Sequence, residues 1–114
     1  MSAPHEKRAT KRVPVNLTGH ARIGTRFLKD PVADLSGGGL YLKTKEPFRE
    51  GTPVRVAVAL PDVDGPRICT LVGNVARLDC DEKGRPIGIG VSFSPDQMSE
   101  PDIQTLAAWL QRVA

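Results

Sequence analysis

Two short polar patterns contain the side chains best suited to contact a ligand. Arg8 and Arg12 lie four residues apart near the N-terminus, and Asp34, Ser36 and Gly39 form the pattern D-x-S-x-x-G. Arginine presents a planar, permanently charged fork that suits a phosphate or the O6/N7 edge of guanine. A carboxylate such as Asp34 accepts hydrogen bonds, so it complements the N1–H and N2–H donors of guanine. Together the patterns favour a ligand that carries both guanine and phosphate.

The remaining members of the two patterns suit supporting roles at such a site. Ser36 can donate a hydrogen bond to a phosphate or base atom, or accept one, and Gly39 lets the backbone approach a ligand without a Cβ clash. Each pattern alone is more often a basic tail or a turn, so the prediction depends on their combination. Secondary contacts are predicted for their neighbours Lys7, Lys11, Gly37 and Gly38.

Short strands are the elements that must position these residues. The chain has 11 glycines and 10 prolines but only 4% aromatic residues, which favours many short elements joined by tight turns. Apolar residues alternate at a spacing of two, most clearly over residues 54–60. Strands are predicted over residues 13–23, 31–36, 40–42, 54–60, 68–78 and 87–93, with a loop at 24–30 and a possible bulge at Gly73. Their regular spacing indicates an antiparallel barrel or sandwich.

The two ends of the chain depart from the strand pattern. Residues 1–12 hold almost no apolar side chain, so a flexible basic arm is predicted there, followed by one domain over residues 13–114. Near the C-terminus, apolar residues recur at spacings of three and four, which predicts a helix over about residues 99–113 with Ser99 as its N-cap. Trp109 lies beside this apolar stripe and is expected to pack against the strands.

Other kinds of chemistry have little support in the sequence. Cys69 and Cys80 lack the spacing of a zinc site or a disulfide framework, and His20 has no carboxylate or cysteine partner at catalytic spacing. The glycines at 37–39 lack the Lys-Ser/Thr of a phosphate-binding P-loop. No signal segment and no apolar run of about 20 residues occurs. We therefore expect a cytoplasmic, non-enzymatic protein that has no metal or cofactor and does not insert into a membrane.

The combined patterns resemble the signature of the PilZ domain family. Arg8 and Arg12 lead into V-P-V, D-x-S-x-x-G-L follows, and G-V-S-F at residues 90–93 is similar to the G-[IV]-x-F stretch of the family. The resemblance implies a six-stranded antiparallel β-barrel with one C-terminal α-helix, which binds cyclic di-GMP on its outer surface without catalysis. It also implies that the two arginines clamp guanine edges and phosphates, while Asp34, Ser36 and Gly39 hold a guanine from the barrel side.

The mobility predicted for the arm suggests how a bound ligand would act. Ligand binding is expected to order residues 1–12 over the barrel and so to create a surface that an unidentified downstream protein reads. One alternative is a PilZ-like scaffold that works through protein contacts without nucleotide. Another is a small basic barrel that binds single-stranded nucleic acid, which the scarcity of aromatic residues for base stacking does not favour. An enzyme ranks last, because no nucleophile, metal cluster or oriented base is found.

Overall fold

Strands with alternating buried and exposed residues close into a barrel. The computed structural model describes residues 11–113. All neighbouring strands are antiparallel, in the closed order β1-β2-β3-β6-β5-β4. The elements are β1 Val13–Ile23, β2 Arg26–Leu35, β3 Gly39–Leu42, β4 Pro53–Leu60, β5 Arg67–Cys80, β6 Pro86–Phe93, a 3₁₀ turn Pro95–Gln97 and helix α1 Glu100–Val113. This confirms the six-stranded barrel with one C-terminal helix and decides between barrel and sandwich.

The inward-facing side chains of the strands form one core that the helix helps to cover. In β4 every second residue is buried, as its sequence pattern predicts. Leu106 and Trp109 of α1 join this core, and the Trp109 indole Nε1 donates a hydrogen bond to the Pro61 carbonyl at 2.9 Å. Ser99 accepts a hydrogen bond from the Asp102 N–H at 3.2 Å, as expected of an N-cap. Within the described residues, no helix is both long enough and apolar enough to cross a lipid bilayer.

The loop predicted over residues 24–30 is wrong. A tight turn at Gly24 and Thr25 joins β1 directly to β2, which begins at Arg26. Gly24 has a φ of 60°, the left-handed conformation that glycine adopts readily. Phe27 pairs with Arg22 on the outside of the barrel and is 79% exposed. Because this aromatic residue faces outward, the alternation of apolar residues did not indicate where the strand begins.

The bulge predicted at Gly73 is also wrong. Gly73 stays within the ladder opposite Phe93, and the register of β5 on β6 shifts instead between Val75 and Arg77 and again between Asp79 and Cys80. A Cβ on Gly73 would lie 2.0 Å from the carbonyl oxygen of Ser92, so glycine is needed for the close approach of the two strands. The first shift sets which residues of β5 face outward beside β6.

Candidate functional site

Four neighbouring strands place one row of residues side by side on the outside of the barrel. Asp34 of β2 lies opposite Tyr41 of β3, Tyr41 lies opposite Gly90 of β6, and Gly90 lies opposite Arg77 of β5. Directly opposed residues of antiparallel strands share one face of the sheet. We call this row, together with Arg12, the paired face, because each of its arginines has a carboxylate partner.

The start of β1 brings Arg12 to Asp34. Pro14 pairs with Asp34 in the β1–β2 ladder, so the chain enters the barrel beside this carboxylate. The Arg12 guanidinium donates a hydrogen bond to Asp34 in an ion pair whose side chains are 46% and 29% exposed. The structure thus joins one residue from each predicted pattern. Lys11 is exposed, and the predicted contacts Arg8 and Lys7 lie outside the described residues.

Ser36 is buried, and its hydroxyl is committed to the turn between β2 and β3. The Oγ accepts hydrogen bonds from the N–H groups of Gly38 and Gly39, both at 3.1 Å, and donates one to the Gly39 carbonyl at 3.2 Å. Only 2% of Ser36 is exposed. A direct contact between this hydroxyl and a ligand would disturb these bonds, so the structure supports a role for Ser36 in holding the turn.

The three glycines of this turn differ in what surrounds them. A Cβ on Gly39 would lie 2.2 Å from the Val91 carbonyl oxygen, so glycine permits the close approach of β3 to β6. A Cβ on Gly37 would meet nothing within 4 Å. The Gly38 carbonyl accepts a hydrogen bond from the Phe93 N–H at 2.9 Å. The need for glycine at position 39 is therefore explained by strand packing, without reference to a ligand.

Sequence reasoning missed the part of the paired face that lies on β3 and β5. The Arg77 guanidinium carbon lies 5.6 Å from the centre of the Tyr41 ring, and the Arg77 Nε donates a hydrogen bond to the Asp79 carboxylate at 3.0 Å. Cation–π attraction and this ion pair together hold the Arg77 guanidinium across β6, which lies between β5 and β3. The register shift before Arg77, which no local pattern predicts, brings it opposite β6 at Gly90.

Two glycines of β6 make room for these side chains. A Cβ on Gly88 would lie 2.2 Å from the Tyr41 hydroxyl oxygen, and a Cβ on Gly90 would lie 3.1 Å from Nη1 of Arg77. Alternate glycines in a strand indicate that another group approaches that face closely. The pattern G-I-G at residues 88–90 is the one sequence signal from which this part of the face could have been found.

Contacts within the paired face shift the pKa values of Tyr41 and of its neighbour Asp79. Burial, followed by the hydrogen bond and negative charge of Asp79, raises the pKa of Tyr41 above its ordinary value. The hydrogen bond from Arg77 is the main cause of a lowered pKa for the Asp79 carboxyl group. Near neutral pH Tyr41 is therefore a neutral phenol beside an ionised Asp79 carboxylate.

An open depression of about 210 Å³ lies between the two arginines of the paired face. Its lining includes both arginines together with Ser36, Gly38, Ala76, Gly90, Val91 and Ser92. Two guanidinium groups that line one depression suit an anionic ligand. Among residues 11–113, no cluster of three or more His, Cys, Asp or Glu could hold a metal ion. Burial also raises the pKa of the Cys69 thiol to about 11, so this thiol stays protonated at neutral pH.

Comparison of the sequence with profiles of known protein families identifies its family. The result agrees with the order of the sequence patterns, with the barrel and with the contact between Arg12 and Asp34. The profile of the PilZ domain matches residues 6–112. The chain belongs to the PilZ domain family. This confirms the resemblance to that family that the sequence patterns indicated. A search of curated protein sequences finds no match to this chain.

Solved PilZ domains share the fold at low sequence identity. The PilZ domain of YcgR from Escherichia coli, solved with cyclic di-GMP, is 16% identical with a TM-score of 0.66, covering 94% of this chain and 91% of that one. The PilZ domain of CeSA from a cellulose-synthesizing bacterium is 24% identical with a TM-score of 0.59, covering 90% and 99%.

One further structural neighbour is a longer protein. The inhibitor of motility MotI/DgrA of Bacillus subtilis is 19% identical with a TM-score of 0.74, and the alignment covers 90% of this PilZ chain. It covers 49% of the inhibitor, so this chain spans about half of that protein's length. These likenesses establish the shared barrel architecture.

Proposed function

We propose that this PilZ domain is a receptor for the bacterial second messenger cyclic di-GMP and not an enzyme. We propose further that it binds the nucleotide on the paired face. The observation that carries the proposal is the contact of Arg12 with Asp34, which joins two ligand patterns that lie 22 residues apart in the sequence. These two side chains supply the donor fork and the acceptor carboxylate that guanine and phosphate require. The E. coli PilZ domain that shares this fold was solved with the same nucleotide.

Binding would proceed by exchange of the Arg12–Asp34 ion pair. The Asp34 carboxylate would accept hydrogen bonds from guanine N1–H and N2–H, and Arg12 would turn to a phosphate or to the O6/N7 edge. Arg12 is exposed and Asp34 is partly buried, and ion pairs near the protein surface contribute about 1 kcal/mol or less. A bidentate arginine–guanine contact contributes about 1–3 kcal/mol by analogy with base readout in DNA, so the exchange is favourable. Arg8 would supply the second guanidinium from the arm.

Arg77 would contact the nucleotide from the other side of the depression. It lines the same depression as Arg12 and is already held by Asp79 and the Tyr41 ring. A preorganised guanidinium loses less conformational entropy when it binds an anion than a free one. Cyclic di-GMP carries two phosphates, and cations on both sides of the depression match this charge.

The exchange would also carry the signal to a protein partner. Arg12 lies directly before β1, so its release from Asp34 would reposition the preceding residues 1–11, including Arg8. Ordering of this segment over the nucleotide would change the surface beside the start of β1, and a downstream protein in the cytoplasm would read that change. If NMR signals of residues 1–12 do not respond to saturating cyclic di-GMP, this relay is wrong.

Calorimetric titration with cyclic di-GMP tests the site. Arg8→Ala, Arg12→Ala and Asp34→Ala are each expected to weaken binding about tenfold or more, because each removes a charge-assisted contact. Arg49→Ala is the matched control, since Arg49 is an exposed arginine in the connection between β3 and β4. Circular dichroism should be unchanged in all four variants.

Selectivity separates this proposal from the other functions. Cyclic di-AMP and a short oligothymidylate should give at least about tenfold weaker binding than cyclic di-GMP, because adenine does not present the donors that Asp34 requires. Wild-type affinity in all three site variants would refute the site. If no nucleotide produces heat, the domain is instead a nucleotide-independent scaffold.

A further inference from the structure

A second outward face of the barrel concentrates positive charge around an exposed aromatic ring. Arg22 of β1 lies between Phe27 of β2 and Arg55 of β4. The next outward row of the same three strands contains Lys29, His20 and Ala57. We call these six residues the basic face. None of the outward positions in these two rows is acidic.

The two arginines of the basic face oppose each other without a neutralising partner. Arg22 and Arg55 are directly opposed residues of antiparallel strands, and like charges in this arrangement are destabilising. Six arginines of residues 11–113 form ion pairs with carboxylates, namely Arg12, Arg26, Arg67, Arg77, Arg85 and Arg112. Arg22 and Arg55 form none with this part of the chain. An anion placed between them would relieve the repulsion.

An apolar depression adjoins this pair of arginines. It has a volume of about 430 Å³, and its lining includes Phe27, Leu28 and Ala57 beside the two guanidinium groups. Phe27 is 79% exposed, and the Arg22 guanidinium carbon lies 5.8 Å from the centre of its ring. A large exposed aromatic ring beside arginine is typical of the residues that dominate binding energy in protein interfaces.

We propose that the basic face docks an acidic segment of a partner protein. One carboxylate of that segment would lie between Arg22 and Arg55, and an aliphatic side chain next to it would enter the depression beside Phe27. The charge of the face requires an anionic partner, and the apolar depression requires one that also carries aliphatic side chains. A phosphodiester backbone lacks such side chains.

The composition of the face argues against a membrane or a nucleic acid as its ligand. Its arginine and lysine residues are Arg22, Lys29 and Arg55, fewer than the cluster of about four to eight that typifies recognition of anionic lipids. Phe27 is the one Phe, Tyr or Trp of the face, whereas single-stranded nucleic acids stack on successive aromatic side chains. A protein segment with alternating acidic and aliphatic residues meets both features of the face.

This inference names the chemistry of the partner that the proposed relay requires, but it does not depend on nucleotide binding. In the closed strand order, β4 lies across the barrel from β3, which carries Tyr41 of the paired face. Arg22 is near the end of β1, whereas Arg12 precedes its start. The two faces are therefore separate surfaces, and a partner on the basic face leaves the paired face accessible.

Fluorescence anisotropy with a defined acidic peptide tests the proposal on the full chain. The probe is a fluorescein-labelled peptide of Glu-Glu-Leu repeats, and a Lys-Lys-Leu peptide is its charge-reversed counterpart. Wild-type protein should bind the acidic peptide saturably. The double variant Arg22→Ala/Arg55→Ala and the variant Phe27→Ala should each weaken that binding about tenfold or more, as expected for central residues of an interface.

Matched variants distinguish peptide binding at the basic face from nonspecific electrostatic or hydrophobic binding. Arg49→Ala removes an exposed arginine elsewhere, and Val63→Ala shortens a side chain that is 94% exposed outside the face. Both should bind the peptide as wild type does. Arg55→Glu should abolish peptide binding and raise the midpoint of thermal unfolding, because it replaces a repulsive cross-strand pair by an attractive one. That rise would show that lost binding is not lost folding.

Several results would overturn the proposal. One is that the acidic peptide does not bind, and another is that Arg49→Ala weakens peptide binding as much as the double variant does. A third is that the protein binds phosphatidylserine vesicles or oligothymidylate more tightly than the peptide, with the same dependence on Arg22 and Arg55. Cyclic di-GMP titrations of the double variant should match wild type. If nucleotide binding fails in every protein while the peptide effects hold, the basic face stands and only the proposed receptor function is wrong.

Discussion

The paired face and the basic face both present two arginines on the outside of one barrel, but they differ in what surrounds those arginines. On the paired face, Arg12 contacts Asp34 and Arg77 contacts Asp79. On the basic face, Arg22 and Arg55 oppose each other with no carboxylate from the described residues in contact. The difference lies in the neighbours that the ladder gives to each arginine.

This difference indicates two ways in which a small barrel can prepare a surface for a ligand. Paired charges hold their side chains in place, and a ligand with both donors and acceptors can exchange with them one contact at a time. Opposed like charges raise the free energy of the isolated chain, and a complementary anion lowers it again. The first arrangement suits guanine with phosphate, and the second suits a carboxylate.

The largest expected effect concerns Gly39, which lets β3 approach β6 beside the paired face. Gly39→Ala should lower the free energy of unfolding by about 1–3 kcal/mol, because the new Cβ would lie 2.2 Å from the Val91 carbonyl oxygen and the backbone must shift. Urea denaturation measures the change. Gly37→Ala is the control in the same turn, where a Cβ has open space, and should change stability by less than about 0.5 kcal/mol. Equal effects of the two substitutions would contradict this account of Gly39.

An intermediate effect is expected when one arginine is removed from each face. Arg77→Ala should weaken cyclic di-GMP binding about tenfold, or about 1.4 kcal/mol, because it removes the guanidinium across the depression from Arg12. Arg55→Ala should leave the affinity within about twofold of wild type, since Arg55 lies outside this depression. Calorimetry measures both. Equal weakening of nucleotide binding by the two substitutions would contradict the proposed distinction between the two faces.

The smallest effect is a change in the titration of the single tyrosine of the chain. Tyr41 should ionise above its ordinary pKa of 10.0, because of burial and its hydrogen bond with Asp79. Since the folded-state pKa is the raised one, stability should fall as pH rises from about 10 through that pKa. Ultraviolet absorbance follows the phenolate directly. Asp79→Asn should lower the Tyr41 pKa, whereas Arg55→Ala on the other face should leave it unchanged.

Much of the barrel could be predicted from the sequence, because alternation within a strand is a local property. The buried positions of β4 repeat at a spacing of two, and Ser99 caps α1 as its sequence context predicts. The two ligand patterns could also be found from residue types alone, and the structure brings Arg12 to Asp34. The hydrogen-bond partners of the Ser36 hydroxyl could not be predicted, since only the turn geometry directs it to the main chain of Gly39.

The sequence by itself determined the barrel-forming strands, the C-terminal helix and the two patterns that suggest guanine and phosphate. Only the tertiary structure decided that Arg77 lies opposite Gly90 and that Arg22 lies opposite Arg55. These pairs depend on the register between strands, which includes a shift between Val75 and Arg77. A slip of one residue would send each of these side chains to the other side of the sheet. The pairing of Arg22 with Arg55 joins strands that are not consecutive in the chain, and the position of Arg77 depends on the register shift, so apolar alternation within one strand predicts neither.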